Sequence, residues 1–442
     1  MHDRIYYQII FIGRKFEKRG FSKMSFKAKI AFVFLSALVA AYTFVGGWLG
    51  TSAQQTINDP GAQMRIFESV LQHIQNDYVE EPDLSKVRAG AMRGLAYGLD
   101  PYSSYLTAEQ VRDYQSKKNT KLVGIGAEFS QVSGYLYVIS TIKGSPADKA
   151  GLRAGDVIEY IENKATRDIS LYDAKQLLLG EPGTKVRLRV LRTNAKPQTI
   201  VVERGNYKIP EAESRIEPGK VGVIKVYSLE EGEAKDIRNQ LQGLIKQGIE
   251  KLVLDLRGVS AGSLNEGVEV ANLFIKDGTL AQVIGRENRV LRTYNADPSK
   301  HLFDGKLVVL IDGGTAGAAE VVASAVLEKK RGEVVGEKSF GAGTEQELFT
   351  LRSGDGLLLT VAKWASASGK PFLSEDRAAS GVKPSIEVKR SDSPEILDPE
   401  ELVDQNEDVN QQPTPKQEQK PQEDLQLKKA LELLQDKPSG NK

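Results

Sequence analysis

The stretch that most constrains the fold runs through residues 306–349. An apolar run at residues 307–311 predicts a buried strand, and a turn of small residues at 312–318 leads from it into an amphipathic pattern. That pattern predicts a helix from about residue 319 to residue 330. A tight turn between a buried strand and a helix is typical of α/β proteins and can display a nucleophile.

The same alternation of strand and helix is present upstream of this stretch. Apolar segments at residues 221–228 and 251–258 flank a helical pattern at about 232–247. Two strands joined through a helix predict at least one crossover unit. We therefore expect an α/β core over residues 207–389.

A second pattern, of short strands and one short helix, occupies residues 120–206. It comprises Gly124-Ile125-Gly126 before a strand, the segment SPADKAGLRAGDVIEYIEN, a helix at about 170–179 and two closing strands. This region resembles a PDZ domain. In PDZ domains a glycine-rich loop offers backbone N–H groups to the terminal carboxylate of a peptide, which adds to the sheet as a strand. The resemblance implies that Gly124, Ile125 and Gly126 bind peptide, with a plain hairpin as the alternative for the glycines.

Two short frames within residues 306–349 resemble the C-terminal processing peptidases, or tail-specific proteases, which are serine endopeptidases with a Ser/Lys dyad. That family has Ser-Ala-Ser-Ala-Ser-Glu after the strand, with the middle Ser as nucleophile, and then Phe-Gly-Lys-Gly-x-x-Gln, with the Lys as base. The frames here are TAGAAE and FGAGTEQ. The nucleophile position is therefore Gly317 and the base position is Ala342, 25 positions apart as in the family dyad. The frame is present and both reactive groups are absent.

Other residues of the family are kept around these two positions. Glu320, Ser339 and Gln346 have the family residue types, which implies that the walls of the pocket persist. Segments at 357–372 and 381–388 match the closing strands of the family, and the resemblance extends over residues 64–388.

The loop after the strand at residues 251–255 departs from the family pattern. In active relatives it supplies a backbone N–H to the oxyanion hole. The family Asn is replaced by Val259, and one of two family glycines is Ala261, followed by Gly262. The resemblance assigns Ala261 and Gly262 to the oxyanion position, and the added methyl of Ala261 and the apolar Val259 put the family geometry there in question.

The N-terminal part has a charge pattern typical of membrane insertion. Residues 1–29 contain eight Lys or Arg and two acids, and residues 30–58 contain no charged residue. A helix over residues 30–50, at about 1.5 Å per residue, is long enough for a hydrocarbon core of roughly 30 Å. The positive-inside rule then places residues 1–29 in the cytoplasm and the bulk of the chain outside, in the periplasm. We expect a single-pass membrane protein, with a cleaved export signal ending near residues 51–53 as the alternative.

Two further regions complete the expected organisation. Helical patterns predict an N-terminal helical region over residues 60–118. From residue 390 to residue 442 the chain is rich in Asp, Glu, Gln, Pro and Lys, which predicts a disordered tail. Within that tail, residues 424–436 have leucines at helical spacing. This pattern is compatible with a short interaction helix and equally with a solvated, weakly helical segment.

Composition excludes several classes of chemistry. The chain has no cysteine, which rules out a thiol nucleophile, a disulfide framework and a Cys-zinc site. Its three histidines leave few candidates for a Ser-His-Asp triad or a multi-His metal site. With a net charge of +1 there is no global reason to expect nucleic acid. We expect no metal and no cofactor.

Together these patterns predict a membrane-anchored pseudopeptidase that binds C-terminal or unfolded polypeptide segments through its PDZ domain without cutting them. An active relative or an adaptor protein is the other expected partner. One alternative is an active endopeptidase with a displaced nucleophile, Thr315 or Ser339, and Lys338 as its base. The other is a scaffolding protein whose PDZ groove stays empty.

Overall fold

The computed structural model describes residues 25–55, 59–116, 122–193, 195–390 and 423–435. The side chains of residues 28–29 and 43–55 lie outside that description. The chain divides into two compact units, Met1–Val87 and Arg88–Lys442.

The first unit is helical where it is described. Helix α1 spans Phe26–Gln55 and helix α2 spans Pro60–Asp77. Asp59 caps α2 because its carboxylate accepts a hydrogen bond from the Gly61 amide at 3.1 Å. Pro60 suits the first turn of a helix, where an N–H would have no partner.

Helix α1 covers the segment predicted to be a transmembrane anchor, residues 30–50. In the part of the chain that the structure describes, no helix is both long and apolar enough to cross a membrane. Within the predicted span, the side chains of residues 43–50 lie outside the description. Residues 1–24 of the basic segment lie outside it entirely. The predicted anchor is therefore not confirmed.

Helices and strands follow one another from residue 84 onward. The helices are α3 (Leu84–Tyr97), α4 (Ala108–Ser116), α5 (Pro146–Lys149), α6 (Leu171–Leu178), α7 (Glu233–Lys246), α8 (Leu264–Asn272), α9 (Ala318–Glu328) and α10 (Leu425–Leu434). The strands are β1 (Ser104–Leu106), β2 (Ala127–Val132), β3 (Tyr135–Thr141), β4 (Val157–Ile161), β5 (Lys164–Ala165), β6 (Lys185–Arg192), β7 (Ala195–Glu203), β8 (Glu213–Glu217), β9 (Val221–Lys225), β10 (Lys251–Asp255), β11 (Thr279–Ile284), β12 (Val290–Asn295), β13 (Lys306–Ile311), β14 (Glu333–Gly336), β15 (Thr344–Thr350), β16 (Gly356–Ser366) and β17 (Ile386–Glu387). Short 3₁₀ helices lie at Thr166–Asp168, Arg286–Asn288, Pro298–Lys300 and Arg377–Ala379.

The predicted PDZ domain is an antiparallel sheet covered by one helix. Strands β2-β3-β4-β6-β7 are neighbours in this order, and β5 pairs with β4. Helix α6 covers the apolar face of the sheet with Leu171, Ala174 and Leu178, which follow the helical spacing. Ser170 caps α6 by accepting a hydrogen bond from the Asp173 amide at 3.1 Å.

The α/β core contains a six-stranded sheet in the order β17-β14-β13-β10-β9-β8. All neighbouring strands are parallel except β8, which runs antiparallel to β9. Strand β13 is apolar along its length because both faces of the sheet are covered. Helices α7, α8 and α9 lie on one face, and the turns after β10 and β13 meet at the carboxyl edge. The predicted α/β core is confirmed.

A second sheet stands beside the core. Its strands follow the order β1-β16-β11-β12, with β15 paired to β16, and all pairs are antiparallel. Strand β16 brings Trp364 against the apolar cluster of the core. This sheet therefore forms a wall near the turn after β13.

Helix α10 covers the other face of the core sheet. Its residues Ala430 and Leu434 are buried in one apolar cluster with Val308 and Leu310 of β13. The sequence left open whether this segment is an interaction helix or a solvated, weakly helical segment. In the structure it is a packed helix. Residues 391–422 and 436–442 of the predicted disordered tail lie outside the described residues.

We predict that Leu434→Ala lowers the free energy of unfolding by about 2–5 kcal/mol, because the substitution removes a buried side chain and leaves a cavity. Leu425→Ala in the same helix is the matched control, since Leu425 is 42% exposed and Leu434 only 2%. Urea unfolding followed by tryptophan fluorescence measures both variants. Equal effects of the two substitutions would contradict the docking of α10.

Candidate active site and peptide groove

Gly317 lies where the turn after β13 enters α9. It is the N-cap of α9 with φ 58° and ψ −112°, a conformation that favours glycine. A Cβ at this position would lie 3.5 Å from Trp364 Cζ3 and 4.0 Å from the Ser260 carbonyl oxygen, which are ordinary contacts. The predicted nucleophile position thus has room for a small side chain, at the cost of backbone strain.

Glu320, in the first turn of α9, joins the two dyad positions. Its Oε2 accepts hydrogen bonds from the Gly317 amide at 2.8 Å and from the Ala342 amide at 2.9 Å. Its Oε1 accepts from the Gly341 amide at 2.7 Å and from the Ser339 hydroxyl. Because Gly317 and Ala342 donate to the same oxygen atom, their amide nitrogens lie within about 6 Å of each other. The two sequence frames therefore meet at one carboxylate.

The Glu320 side chain has no exposed surface. Burial raises the pKa of its carboxyl to about 7, although the hydrogen bonds from Ala342, Ser339, Gly317 and Gly341 act in the opposite direction. Sequence reasoning assigned Glu320 to the wall of the pocket and missed its central place. The spacing of three residues between an N-cap and a glutamate, as in a capping box, was the signal for it.

The two candidates for a displaced nucleophile, Thr315 and Ser339, are buried side chains. Thr315 is fully buried; its hydroxyl accepts a hydrogen bond from the Asp312 amide at 3.0 Å and lies 3.0 Å from the Leu256 carbonyl oxygen. The Ser339 hydroxyl donates to Glu320 and accepts from the Val382 amide at 2.7 Å. Both hydroxyls therefore already take part in hydrogen bonds within the core, and the alternative of a displaced nucleophile stays a prediction.

Lys338 and Gln346 also point to structural partners. Lys338 Nζ donates to the carbonyl oxygen of Ala378 at 2.9 Å, and burial lowers the pKa of the Lys338 amine. Gln346 donates through Nε2 to the hydroxyl of Thr344 at 2.7 Å. Neither side chain makes a hydrogen bond to Gly317 or Ala342.

Backbone contacts with Leu229 hold the predicted oxyanion loop. The Ala261 carbonyl accepts a hydrogen bond from the Leu229 amide at 2.9 Å, and Gly262 forms a β-bridge with Leu229. A Cβ on Gly262 would lie 2.4 Å from the Leu229 carbonyl oxygen, so only glycine fits there. Val259, which replaces the family Asn, has no exposed surface and belongs to the apolar core.

Ser260 lies in this loop opposite the nucleophile position. Its carbonyl oxygen lies 4.0 Å from the position that a Cβ on Gly317 would take. The Ser260 hydroxyl is hydrogen-bonded to the hydroxyl of Ser140, at the end of β3 in the PDZ domain. Ser260 therefore links the PDZ domain to the surroundings of Gly317.

The PDZ domain packs directly against the dyad positions. Tyr137 of β3 stacks on Phe340, with ring centroids 5.6 Å apart and an interplanar angle of 20°. Ala316 and Ala342, one from each sequence frame, contact the same apolar cluster. The cleft and the PDZ domain therefore share one packed interface.

Arg257 connects the oxyanion loop to the tail helix. Its guanidinium donates to both carboxylate oxygens of Asp424 at 2.8 Å and to Asp255 at 2.7 Å. Burial raises the pKa of Asp255, but Lys225 and Arg257 outweigh it and lower that pKa to about 2. These residues border a cavity of about 390 Å³. Among the described residues, no group of three or more His, Asp or Glu side chains is arranged to hold a metal ion.

The predicted carboxylate loop precedes β2, the edge strand of the PDZ sheet. Gly126 has φ 76°, and a Cβ there would lie 2.3 Å from Ser145 Cβ, so only glycine fits. A Cβ on Gly124 would instead make an ordinary contact of 3.5 Å with Leu179 Cδ2. Ile125 is buried in the PDZ core, which fixes the loop to the sheet.

The free edge of β2 faces α6, as a groove for an added strand requires. Glu128 of β2 and Lys175 of α6 form an ion pair of 3.8 Å across it. At the far end, Gln131 Nε2 donates to the Ile169 carbonyl at 2.8 Å and joins the two walls. At the Gly124 end, Val123 and Gly180 exchange backbone hydrogen bonds of 2.9 and 3.0 Å, so contacts join β2 and α6 at both ends of the groove.

Comparisons with known proteins agree with this geometry. The profile of Peptidase family S41 matches residues 220–388, and a PDZ domain profile matches residues 137–192. A probable CtpA-like serine protease of Staphylococcus aureus (strain COL) is 30% identical over 356 residues, which cover 79% of this chain and 69% of that protein. This chain belongs to the C-terminal processing peptidases of family S41.

Two further similarities support the assignment. The carboxy-terminal processing protease CtpA of Bacillus subtilis (strain 168) is 29% identical over 373 residues, 84% of this chain and 79% of that protein. The structure of a photosystem II D1 C-terminal processing protease superposes with a TM-score of 0.62 at 27% identity, covering 73% of this chain and 86% of that one. The predicted family and its PDZ domain are confirmed.

We predict that the Glu320 carboxyl makes the S41 core less stable as pH rises from about 4.5 to 7. A carboxyl whose pKa is raised on folding binds its proton more tightly in the folded state. Its contribution to the free energy of unfolding is therefore complete below the pKa of the unfolded state, and it is lost as pH rises through the pKa of the folded state. The loss approaches about 3 kcal/mol. Urea unfolding at pH 4.5 and pH 7.5 measures it against Glu320→Gln, which lacks the titrating group. If the wild type gained stability relative to the variant over this range, the pKa of Glu320 would be lowered instead.

Proposed function

We propose that this chain is a catalytically inactive S41 protein that binds the C-termini of other polypeptides and holds them without cutting. The observation that carries the proposal is that the hydrogen bonds around the two dyad positions are present, whereas both reactive side chains are absent. Glu320 still brings positions 317 and 342 together, but Gly317 has no hydroxyl and Ala342 has no amine.

Peptide hydrolysis by this family requires an oxygen nucleophile and a neutral amine that removes its proton. Loss of either group removes most of the catalysis, because the two act as one unit. The hydroxyls of Thr315 and Ser339 are buried and already hydrogen-bonded. These contacts support loss of activity over relocation of the dyad.

The PDZ domain supplies the binding function in this proposal. Its loop at Gly124-Ile125-Gly126, the free edge of β2 and the facing helix α6 provide the three parts of a peptide groove. Ligands of this class are extended C-terminal or unfolded segments with a free carboxylate. Such a protein acts as a decoy, as an adaptor, or as the inactive partner of an active relative.

We also propose that the PDZ domain and the core work outside the cytoplasm. The support is the order of charges in the sequence, since a basic segment at residues 1–29 is followed by an uncharged apolar segment. Alkaline phosphatase fused after residue 390 is expected to be active in cells. An inactive but stable fusion would contradict export.

We predict that the purified full-length protein leaves a disordered substrate such as casein intact. Gly317→Ser combined with Ala342→Lys is expected to cut it slowly. The two substitutions restore the hydroxyl and the amine of the dyad, but they leave the altered oxyanion loop unchanged. Gly317→Ala combined with Ala342→Lys is the matched control, which has the same backbone strain and no nucleophile. Electrophoresis and mass spectrometry of the products measure cleavage. Cleavage by the unmodified protein that a Ser-directed inhibitor abolishes would overturn the proposal.

We predict that Gly124→Val weakens binding of peptides with a free carboxylate at the PDZ groove by about tenfold or more, or about 1.4 kcal/mol. The larger side chain would fill the space between position 124 and Leu179, while φ at this position is ordinary and the fold is kept. Fluorescence anisotropy with a random C-terminal peptide library measures the change, and circular dichroism checks folding. If no member of the library binds the unmodified protein, the groove is not used and a scaffolding role is favoured.

A further inference from the structure

The amino edge of the core sheet, at the opposite end of the strands from Gly317, is rich in cations. Lys251 begins β10 and Lys306 begins β13, and the two residues are neighbours in the ladder of these parallel strands. Lys220 directly precedes β9, whose first residue, Val221, is in register with Lys251. Because neighbouring strands lie about 4.8 Å apart, the three lysines follow one another across about 10 Å of this edge.

Helix α7 ends at the same edge. Its Leu244 Cδ1 lies only 2.8 Å from the position that a Cβ on Gly222 would take, so the last turn of α7 packs against the start of β9. Lys246 is the last residue of that helix, and it is exposed. The Lys306 amide donates a hydrogen bond to the Glu250 carbonyl oxygen at 2.8 Å, which joins the loop after α7 to β13.

Helix α9 adds three further cations. It is followed directly by Lys329, Lys330 and Arg331, and the Arg331 guanidinium donates to the Gly305 carbonyl oxygen, beside Lys306, at 2.8 Å. The dipole of a helix favours cations at its carboxyl end, so those after α9 need no ligand to explain them. The lysines at the strand starts have no such explanation.

Carboxylates at this edge compensate only part of the charge. The segments that form the edge contain seven Lys or Arg against four Asp or Glu, which leaves +3, whereas the whole chain has a net charge of +1. These segments are residues 218–221, 246–251, 304–306 and 328–333. Two of the four carboxylates have other partners here, since Asp304 pairs with His301 at 2.8 Å and Glu333 accepts a hydrogen bond from the Ser385 hydroxyl at 2.6 Å.

A cavity of about 620 Å³ opens at this edge. Lys306, Lys330 and Arg331 line it together with Leu327 and Leu433, two leucines that are partly exposed. Long cationic side chains beside apolar ones suit the boundary between lipid headgroups and acyl chains. No aromatic side chain lines this cavity in the described part of the chain, so it lacks the stacking surface that single-stranded nucleic acids use. The lining therefore favours a lipid surface.

We propose that this basic edge docks the core on a bilayer that contains anionic phospholipids. It is defined by Lys220, Lys246, Lys251, Lys306, Lys330 and Arg331, which would lie against the phosphate groups of the headgroups. The attraction of several cations adds up and weakens with salt.

The docked orientation has a consequence for the former active site. The turn with Gly317 follows β13 at the carboxyl edge, and five residues of a strand span about 17 Å. Docking by the amino edge thus keeps Gly317 on the side of the core away from the lipid. The proposal holds whether or not the chain cuts peptides.

The test uses fluorescent labels on full-length protein, which has no cysteine of its own. Gln247→Cys places a label on the basic edge, and Asn163→Cys places one on the PDZ domain; both residues are exposed. Each labelled protein is reconstituted into vesicles of phosphatidylcholine, or of phosphatidylcholine and phosphatidylglycerol in equal parts, with a headgroup spin label as quencher. We expect quenching at position 247 to be about threefold stronger in the anionic vesicles, and quenching at position 163 to be the same in both.

A triple variant removes exposed charges from the edge. Lys220→Gln, Lys246→Gln and Lys330→Gln together are expected to abolish the difference between the two kinds of vesicle. The matched control removes three exposed lysines from the PDZ domain, by Lys149→Gln, Lys185→Gln and Lys196→Gln, and should keep the difference. Salt at about 1 M, where the Debye length is about 3 Å, should abolish it in the unmodified protein. Circular dichroism checks folding.

Each outcome decides the proposal. Equal quenching at position 247 in both kinds of vesicle overturns it, as does an unchanged difference in the folded triple variant or failure of the protein to float with anionic vesicles. If excess inorganic phosphate at constant ionic strength abolishes the quenching, the edge binds single phosphate ions and the proposal is wrong. If the triple variant does not fold, the salt titration of the edge-labelled protein decides, since quenching that persists in about 1 M salt contradicts electrostatic docking.

Discussion

The arrangement of the cleft depends on a buried carboxylate. Glu320 accepts hydrogen bonds from the backbone at both former dyad positions and from the Ser339 hydroxyl. A buried acceptor with four donors is costly to leave unpaired, so each donor keeps the others in place. These contacts need no side chain at position 317 or position 342, because the donors there are the backbone amides of Gly317 and Ala342.

The PDZ domain and the peptidase core meet at this same place. Tyr137 stacks on Phe340, and the hydroxyls of Ser140 and Ser260 join β3 to the oxyanion loop. On the opposite side, Arg257 ties that loop to Asp424 of α10. The loop is thus joined by hydrogen bonds to the PDZ domain and to the residue that caps α10.

Local sequence patterns predicted much of the fold of this protein. The apolar run of β13 with its small-residue turn predicted a strand, a turn and a helix, and the SPADKAGL segment predicted the PDZ domain. The pairing of Gly317 with Ala342 followed from two frames at the family spacing. What the patterns missed was the central place of Glu320, since hydrogen bonds between residues 317, 320 and 342 exist only once the chain has folded.

The sequence by itself determined which groups are absent, because a glycine and an alanine carry no hydroxyl or amine in any fold. It also determined the α/β and PDZ architecture, because hydrophobic periodicity and turn residues act over short distances. Only the tertiary structure decided that the hydroxyls of Thr315 and Ser339 are already hydrogen-bonded and that α10 packs on the sheet. These features depend on burial and on partners far apart in the chain, which no local pattern specifies.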